Sequence, residues 1–498
     1  MPGIEAKFCS SFSKLDQCTV MAFPSTLTKP TEELLISNWP YIALGAGMLT
    51  WGIYNLCFHP LSAFPGPFLG RISWVYYSTL TWNGNLANTA KRLHDEYGDV
   101  VRISPNILSF NSGQAWEDIY GRGLQGTYDF MKDRGRELRL PNSPPSLGFA
   151  DEKVSPMFSW LHMSTTSLDG IAYTNYQNHR RYRRILSYAF SEKAILEHEP
   201  LVMKVVDSLL DSLHTLSQKS AKGYFDIEKS MTAVMFDIST ELSFGESLKV
   251  VSSPDRNHPW MSLVKSSIKD ISTYCAIRRL VPHALWLYMD RVMLLLSAKT
   301  IIHAFGFAKQ AVERRLKNVV GHRDFMAYLI DSLNAPDGLS RNEVERLALT
   351  LVNAGSDTTA TLLCHTVYRL AKHKDVLQEL RQQIEEVASS PSDITFTSIK
   401  QMPYLTAVIE ESLRMFPPAV NLFPRVVPPG GAQICGHFVP GGTSVCVSQL
   451  SQNLSNKNFV DGTEFIPSRW LGDERFQNDN RKARKPFGYG PRNCAGQK

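Results

Sequence analysis

The chain has 498 residues, of which 43% are hydrophobic and 20% are charged. These ordinary globular values exclude a disordered chain, a collagen-like repeat and a multi-span membrane protein. The formal net charge of +6 is too small for the concentrated basic footprint of a nucleic-acid-binding protein, so no nucleic-acid partner is expected. A chain of this length buries a large core and has room for a cofactor within it.

The eight cysteines are scattered along the chain, and no two of them form a Cys-x-x-Cys pair. This spacing argues against a disulfide scaffold, a zinc ribbon and a c-type haem attachment. Reduced and mostly inert thiols are the simplest interpretation. Cys494 is the exception, for reasons given below.

The first element in the chain is an uncharged segment, 39–58, which follows a polar tail at 1–38. Twenty helical residues span about 30 Å, the thickness of the bilayer hydrocarbon core. The segment therefore predicts a single membrane-spanning helix, with a buried core helix as the alternative. A signal peptide is disfavoured because the apolar run starts late and is long. Whether translation starts at Met1 or Met21 is left open.

A proline-rich stretch, 59–70, follows the anchor and contains Pro60, Pro65 and Pro67. Proline cannot continue a helix and stiffens a linker, so this stretch predicts a turn that holds the body at a fixed attitude to the membrane. The remaining residues, 71–498, are expected to form the main folded body. The flanking basic residues slightly favour a cytosolic position for it.

Helical periodicity dominates this body, and strand-like pieces are short. The predicted helices are 86–97, 189–218, 226–243, 292–317 and 341–389. The predicted strands are Val100–Ile103, Ile107–Phe110, Val426–Val427, Gln433–Phe438 and Thr443–Val447. Residues 131–170, rich in Pro, Ser and Met, are predicted to form a long irregular loop of the kind that is often functional.

The segment 340–372 is predicted to be a buried helix but carries a glycine and polar residues at its centre. Ser340 and Glu343 form a capping-box pattern that starts a helix, and the helix that follows is apolar on nearly every face, as in a buried helix. Yet its centre carries Gly355, Asp357 and Thr358. Such conflicts tend to mark functional sites. The alternative is a locally satisfied polar kink.

The segment 487–496, Phe-Gly-Tyr-Gly-Pro-Arg-Asn-Cys-Ala-Gly, is dense in glycine. Glycine allows the backbone to approach a flat ligand closely. A cysteine held by backbone N–H groups is stabilised as a thiolate, which is a known haem ligand. The pattern indicates a metal–thiolate loop at Cys494, and the alternative is a buried structural cysteine.

This segment resembles the haem-binding signature of the cytochrome P450 family, F-G-x-G-x-R-x-C-x-G. Three further motifs occur in the family's order: 354–359 (AGSDTT), 411–414 (ESLR) and 465–470 (FIPSRW). The resemblance runs from about residue 39 to residue 496. It implies a mainly α fold with a small β portion, the cytochrome P450 fold, preceded by one N-terminal transmembrane helix.

The resemblance also assigns roles to individual residues. It implies that Cys494 ligates the iron of haem b and that Asp357 and Thr358 deliver protons, with Gly355 leaving room for O₂ or substrate. Glu411, Arg414 and Arg469 would form a structural network, and Ser468 stands where the family usually has Glu. The remaining cofactor-binding candidates are Phe487 and Gly488 in the loop and, for the propionates, His179, Arg183, Arg425 and Arg492.

The implied partners are a membrane, an NADPH–cytochrome P450 reductase and a hydrophobic small molecule. The basic segment 481–485 lies on the expected reductase face, although a generic solvated loop is as good an interpretation. Residues near 351–359 and 418–424, including Val420, Leu422 and Phe423, are expected to line an apolar pocket together with the 131–170 loop. An endoplasmic reticulum location follows from the same resemblance.

Several stretches of the sequence are similar to those of fungal P450s of secondary metabolism, such as trichothecene hydroxylases and polyketide-pathway oxygenases. Two alternatives stay open: a haem–thiolate isomerase or dehydratase that needs no reductase, and an inactive binding protein. The chain ends at Lys498, where the family continues with an L helix and a last hairpin. We therefore expect these two elements to be missing, in either a fragment or a shortened form.

Overall fold

The computed structural model describes residues 29–121, 131–132, 171, 174, 176–219, 224–253, 256–281, 285, 292, 303, 305–318, 323–333, 335–420 and 422–497. The predicted irregular loop at 131–170 lies outside the described residues, apart from a two-residue strand. Most of the predicted helix 292–317 before residue 305 does so as well.

The described chain is mainly helical. Its first helices are α1 (Lys29–Ile53), α2 (Phe68–Ile72), α3 (Trp74–Trp82), α4 (Leu86–Tyr97) and α5 (Gln114–Tyr120). The next are α6 (Tyr176–Ala189), α7 (Glu192–Glu197), α8 (Glu199–Lys219), α9 (Ile227–Phe244), α10 (Pro259–Arg278) and α11 (305–317). The last are α12 (Phe325–Asp331), α13 (Arg341–Lys372), α14 (Lys374–Val387), α15 (Pro403–Met415) and α16 (Gln449–Leu454).

Two predicted helices are divided. The segment 189–218 contains the end of α6 and then α7 and α8, because Ser191 caps a new helix by accepting a hydrogen bond from Ala194 N–H. The segment 341–389 is interrupted at His373, whose backbone leaves the helical region. At the start of α13 the capping box forms as its sequence predicts, with Ser340 N–H donating to Glu343 Oε2 at 2.8 Å.

A five-stranded sheet has the order β1-β2-β7-β4-β3. Its strands are β1 (Val100–Ser104), β2 (Ile107–Phe110), β3 (Met131–Lys132), β4 (Arg425–Val426) and β7 (Ser444–Val447). Strands β2 and β7 are parallel, with Leu108 opposite Val445, and the other pairs are antiparallel.

The predicted strand 433–438 is instead a separate hairpin of β5 (Ala432–Ile434) and β6 (His437–Val439). The chain reverses at Cys435 and Gly436, both with positive φ, which an extended strand cannot contain. The Cys435 N–H donates to Asp118 Oδ2 at 2.8 Å, which fixes the turn against α5.

The largest hydrophobic cluster lies among α6, α9 and α13 and includes Leu186, Phe236 and Leu347. Gly355 permits the close packing of α13 on α9, since a Cβ at this position would lie 3.0 Å from Ser239 Oγ. This packing reason differs from the expectation that Gly355 leaves space for O₂ or substrate. A separate, smaller hydrophobic cluster forms between α14 and α15 around Val408.

Helix α1 begins inside the predicted tail, at Lys29, and continues into a π-helical turn at Tyr54–Phe58. Among the described residues, one stretch, Asn38–Phe58, is long and apolar enough to cross a membrane. Most of its side chains are exposed, and Trp39, for example, is 64% exposed, whereas Asn55 near its end is buried against Arg102 of the body. Length and composition are thus those of a membrane span.

The end of the anchor and the proline-rich stretch that follows it are hydrogen bonded to the body. Fully buried Arg102, on β1, donates from Nη1 to the carbonyl of Asn55 at 2.7 Å and to that of Leu61 at 3.4 Å. Arg71 Nη2 donates to the Ser62 carbonyl at 3.1 Å. Burial lowers the pKa of Arg102 to about 10, so the group stays charged at neutral pH.

Candidate active site

The Cys494 loop, residues 487–496, is closed by its own backbone. Cys494 N–H donates to the Phe487 carbonyl at 2.7 Å, and Asn493 N–H donates to the Gly490 carbonyl at 3.1 Å. These bonds bring the cysteine back beside Phe487. The Cys494 side chain is exposed, which a buried structural cysteine would not be.

Two of the three glycines of the loop, Gly488 and Gly490, have positive φ but different surroundings. Gly490 has a φ of +76°, and a Cβ there would lie 1.9 Å from the Tyr120 carbonyl oxygen at the end of α5. Gly488 has a φ of +72°, but the nearest atom to a Cβ would be 3.8 Å away. Only glycine adopts this backbone region at low cost. The loop therefore packs closely on α5 at Gly490 and is open at Gly488.

Basic side chains surround the loop. Arg492 Nη2 donates to the Thr174 carbonyl at 3.2 Å, and Arg183 donates from Nη2 to Asn493 Oδ1 at 3.0 Å. Arg425 is buried, with its guanidinium 4.9 Å from the ring centroid of Tyr120, whose carbonyl abuts Gly490. His179 is buried on α6. Of the three predicted arginines, Arg492 therefore belongs to the loop and Arg183 binds it, while Arg425 is connected to it only through Tyr120.

This arrangement fits haem. An exposed thiol on a constrained turn supplies the soft ligand that haem iron takes. The open face at Gly488 is compatible with the close approach of a flat group. Cationic side chains beside the thiol match the two carboxylates of haem.

Asp357 and Thr358 lie near the middle of α13, and both are partly buried. The Thr358 hydroxyl donates to the Ala354 carbonyl, one turn earlier, at 2.6 Å. Ala354 itself is exposed, so this side of the helix is accessible. Within the described part of the chain, no hydrogen bond links Asp357 or Thr358 to the Cys494 loop.

Glu411, Arg414 and Arg469 are brought together in a fully enclosed cluster. Arg414 on α15 donates to both carboxylate oxygens of Glu411, at 2.7 and 2.8 Å. Arg469 Nε donates to Glu411 Oε1 at 3.1 Å. Burial alone would raise the pKa of Glu411, but the bonds and charges of the two arginines hold it below its ordinary value.

Two members of this cluster were not predicted from the sequence. Asp479 Oδ2 accepts from Arg469 Nη1 at 2.6 Å, which gives the cluster two carboxylates for its two guanidiniums. Trp470 Nε1–H donates to Glu411 Oε2 at 3.0 Å. Trp470 belongs to the 465–470 motif, which is a usable signal, whereas Asp479 lies outside every motif.

The basic segment 481–485 divides into two groups. Arg484 turns inward, forms an ion pair with Glu410, and lies 4.9 Å from the Trp470 ring centroid. Arg481 and Lys482 are exposed. The exposed positive charge is therefore smaller than the sequence predicts.

The segment 418–424, which is expected to line an apolar pocket, carries both a buried and an exposed apolar side chain. Leu422 is 1% exposed and packs in the core against β1 and α4. Phe423 has a φ of +43° and a side chain that is 50% exposed. Positive φ in a non-glycine residue costs about 1–3 kcal/mol and tends to mark functional positions. Tyr120 stabilises this turn by donating its hydroxyl to the carbonyls of Leu422 and Phe423.

Comparison with known proteins agrees with this geometry. The family model for cytochrome P450 matches residues 149–498. The cytochrome P450 monooxygenase aclL of Aspergillus oryzae is 39% identical over 446 residues, covering 89% of this chain and 85% of the relative. The monooxygenase astJ of the same species is 37% identical, covering 90% of this chain and 85% of the relative. The fusicoccadiene 8-ol C-16-hydroxylase of Phomopsis amygdali is 34% identical, covering 89% and 80%.

The chain belongs to the cytochrome P450 family. Its relatives are fungal monooxygenases of secondary-metabolite pathways, which supports a haem monooxygenase.

Proposed function

We propose that this protein is a membrane-anchored haem–thiolate monooxygenase that hydroxylates or epoxidises a hydrophobic small molecule of fungal secondary metabolism. The observation that carries the proposal is the exposed Cys494 thiol on a loop closed by the Cys494–Phe487 backbone bond. When bound, haem supplies the activation of O₂, with electrons from NADPH through a reductase.

Cys494 is the iron ligand in this proposal, with Phe487 and Gly488 beside the cofactor. His179, Arg183, Arg425 and Arg492 hold the propionates. The Arg425 guanidinium already lies over Tyr120 and donates to the Phe423 carbonyl at 3.3 Å, so its position is set before the cofactor binds. Such preorganisation strengthens a charge-assisted bond.

Asp357 and Thr358 move protons. The Thr358 hydroxyl donates a hydrogen bond to the Ala354 carbonyl, so in this arrangement its oxygen acts only as an acceptor. Asp357 is partly exposed, so water reaches its carboxylate. To pass a proton inward through one or two waters, the Thr358 hydroxyl turns away from the Ala354 carbonyl and donates to the next water as it accepts from the preceding one.

The exposed Arg481 and Lys482 form the site for an acidic reductase surface. Opposite charges across such a surface mainly speed association. The anchor places the body on the cytosolic face of the endoplasmic reticulum membrane, from which a hydrophobic substrate enters.

Reconstitution with reductase and NADPH tests the proposal. Under carbon monoxide, NADPH should reduce the haem only when reductase is present. Under ¹⁸O₂, terpenoid and polyketide substrates should yield products that carry one ¹⁸O atom. A haem protein that NADPH and reductase do not reduce, and that forms isomeric or dehydrated products without them, would favour the isomerase or dehydratase alternative.

A further inference from the structure

Helix α6 presents two guanidinium groups on opposite faces. Arg181 and Arg183 are two residues apart, and residues at this spacing lie about 200° apart around a helix. Both side chains are partly buried, whereas Arg180 and Arg184 on the same helix are exposed. The two partly buried arginines contact different regions of the protein.

Arg181 binds the beginning of α13. Its Nη1 donates to the Gly338 carbonyl at 2.8 Å, and its Nη2 forms an ion pair with Glu343 Oε1. The neighbouring Tyr182 hydroxyl donates to the same oxygen at 2.7 Å. The other oxygen of Glu343 accepts from Ser340 N–H in the capping box. One carboxylate thus joins α6 to the first turn of α13.

Arg183 binds the Cys494 loop. Its Nη1 donates to the Asn493 carbonyl at 3.2 Å, and its Nη2 donates to Asn493 Oδ1 at 3.0 Å. The N–H of the same peptide group, that of Cys494, donates to the Phe487 carbonyl. The peptide that precedes the cysteine is therefore held on both sides, and the guanidinium uses two donors for it.

We propose that α6 holds the Cys494 loop in a fixed position relative to α13 and so acts as a strut between them, with Glu343, which binds one face of α6, and Arg183, on the opposite face, as positioning residues. The inference rests on the proposed function, because α13 carries Asp357 and Thr358 while the loop carries the iron ligand. It gives Arg183 a role in orienting the peptide before Cys494, in addition to the propionate contact that the family resemblance implies.

The test uses the full-length chain and compares Glu343→Gln with Arg183→Gln. Glutamine keeps the capping-box geometry at 343 but removes the charge that Arg181 binds. The matched controls are Arg180→Gln and Arg184→Gln, which make the same chemical change as Arg183→Gln at exposed positions of α6. Arg183→Lys keeps the charge but cannot make the two-donor contact, so it isolates geometry if Arg183→Gln fails to fold.

The first readout is amide hydrogen exchange of peptides that cover 487–496. We expect Glu343→Gln to speed exchange at Cys494 by about tenfold, the order expected for the loss of one charge-assisted bond. The amide exchange rate at Cys494 in the double variant should be close to that in either single variant, because both changes release the same strut. The two control variants should match the wild type.

The second readout is the rate at which mild denaturant abolishes the thiolate-type carbon monoxide band, which should rise in both strut variants. Exchange changes confined to 338–345 in Glu343→Gln, or fully additive effects, would overturn the strut. If even the wild-type chain gives no thiolate band, the proposed function fails, while the exchange data still decide the strut.

Discussion

The Glu411 cluster and the Cys494 loop lie in neighbouring parts of the same C-terminal region but differ in almost every physical respect. In the cluster, the side chains of Glu411, Arg414 and Arg469 are at most 1% exposed. Their charges are balanced, and backbone carbonyls take the remaining donors; Arg414 Nη1, for example, donates to the Asn453 carbonyl at 2.6 Å. In the loop, the Cys494 side chain is exposed.

This difference separates two kinds of rigidity. The cluster is rigid because buried charges leave it no alternative arrangement, since an unpaired charge in the interior costs several kcal/mol. The loop is held through its backbone, by a short hydrogen-bonded turn, by the close contact of Gly490 with α5 and by the hydrogen bonds from Arg183 to Asn493. A reactive group needs the second kind, because its side chain must stay accessible.

The largest expected effect comes from the cluster. Glu411→Gln leaves two buried guanidiniums with one carboxylate, and removing one partner of a buried set costs about 3–5 kcal/mol. We expect little soluble haem protein, measured as the ratio of haem absorbance to total protein. The control is Glu410→Gln, in the adjacent ion pair with Arg484, where the carboxylate is 34% exposed. A Glu411→Gln protein with wild-type haem content would contradict the account.

The next effect distinguishes Gly490 from Gly488, the two loop glycines with positive φ. Gly490→Ala meets both positive φ and the Tyr120 carbonyl, so we expect about 3 kcal/mol of destabilisation from strain and overpacking together. Gly488→Ala meets positive φ alone and should cost about 1–2 kcal/mol. Thermal unfolding of both variants measures the difference. Equal losses would show that the loop does not depend on its packing against α5.

A smaller effect on stability, but a clear one on turnover, is expected at the centre of α13. Asp357→Asn and Thr358→Ala should leave haem binding intact and lower NADPH-coupled product formation by about 100-fold, the lower range for general acid–base groups. Thr366→Ala is the matched control, since Thr366 makes the same hydroxyl bond to the carbonyl four residues earlier. Loss of activity in Thr366→Ala as well would point to helix damage and not to proton delivery.

The smallest expected effect is a pH dependence. Burial alone would raise the pKa of Glu343, but its bonds with Ser340 and Tyr182 and the charge of Arg181 hold it below the ordinary 4.5. A depressed pKa stabilises the folded state above the unfolded pKa, and this contribution disappears as pH falls through the folded value. The melting temperature of the wild type should therefore fall more steeply below about pH 4.5 than that of Glu343→Gln. Parallel curves would show that the ion pair contributes little.

Local patterns in the sequence predict which residues carry the chemistry better than they predict what those residues contact. The i, i+3 spacing of Glu411 and Arg414 places them on one helix face, and they form an ion pair in the structure. The capping box at Ser340 was also readable. The turn at Cys435 was not, because a positive φ in a non-glycine residue leaves no mark on strand periodicity.

Contacts between residues that are far apart in the sequence cannot be predicted from any local pattern. The pairing of Arg183 with Asn493 joins residues 310 positions apart. The inward turn of Arg484 depends on Glu410, and the expected basic patch shrinks as a result. Asp479 balances the charge of the Glu411 cluster from outside every motif. Such partners are set by tertiary packing, which sequence spacing does not encode.

The central claim is that Cys494 is a thiolate ligand of haem iron. The most direct measurement is a reduced carbon monoxide difference spectrum of the anchored chain beside Cys494→Ser. The account predicts the red-shifted Soret band of a thiolate-ligated complex in the wild type and its loss in the variant. A folded wild-type protein without that band, or a variant that keeps it, would contradict the claim.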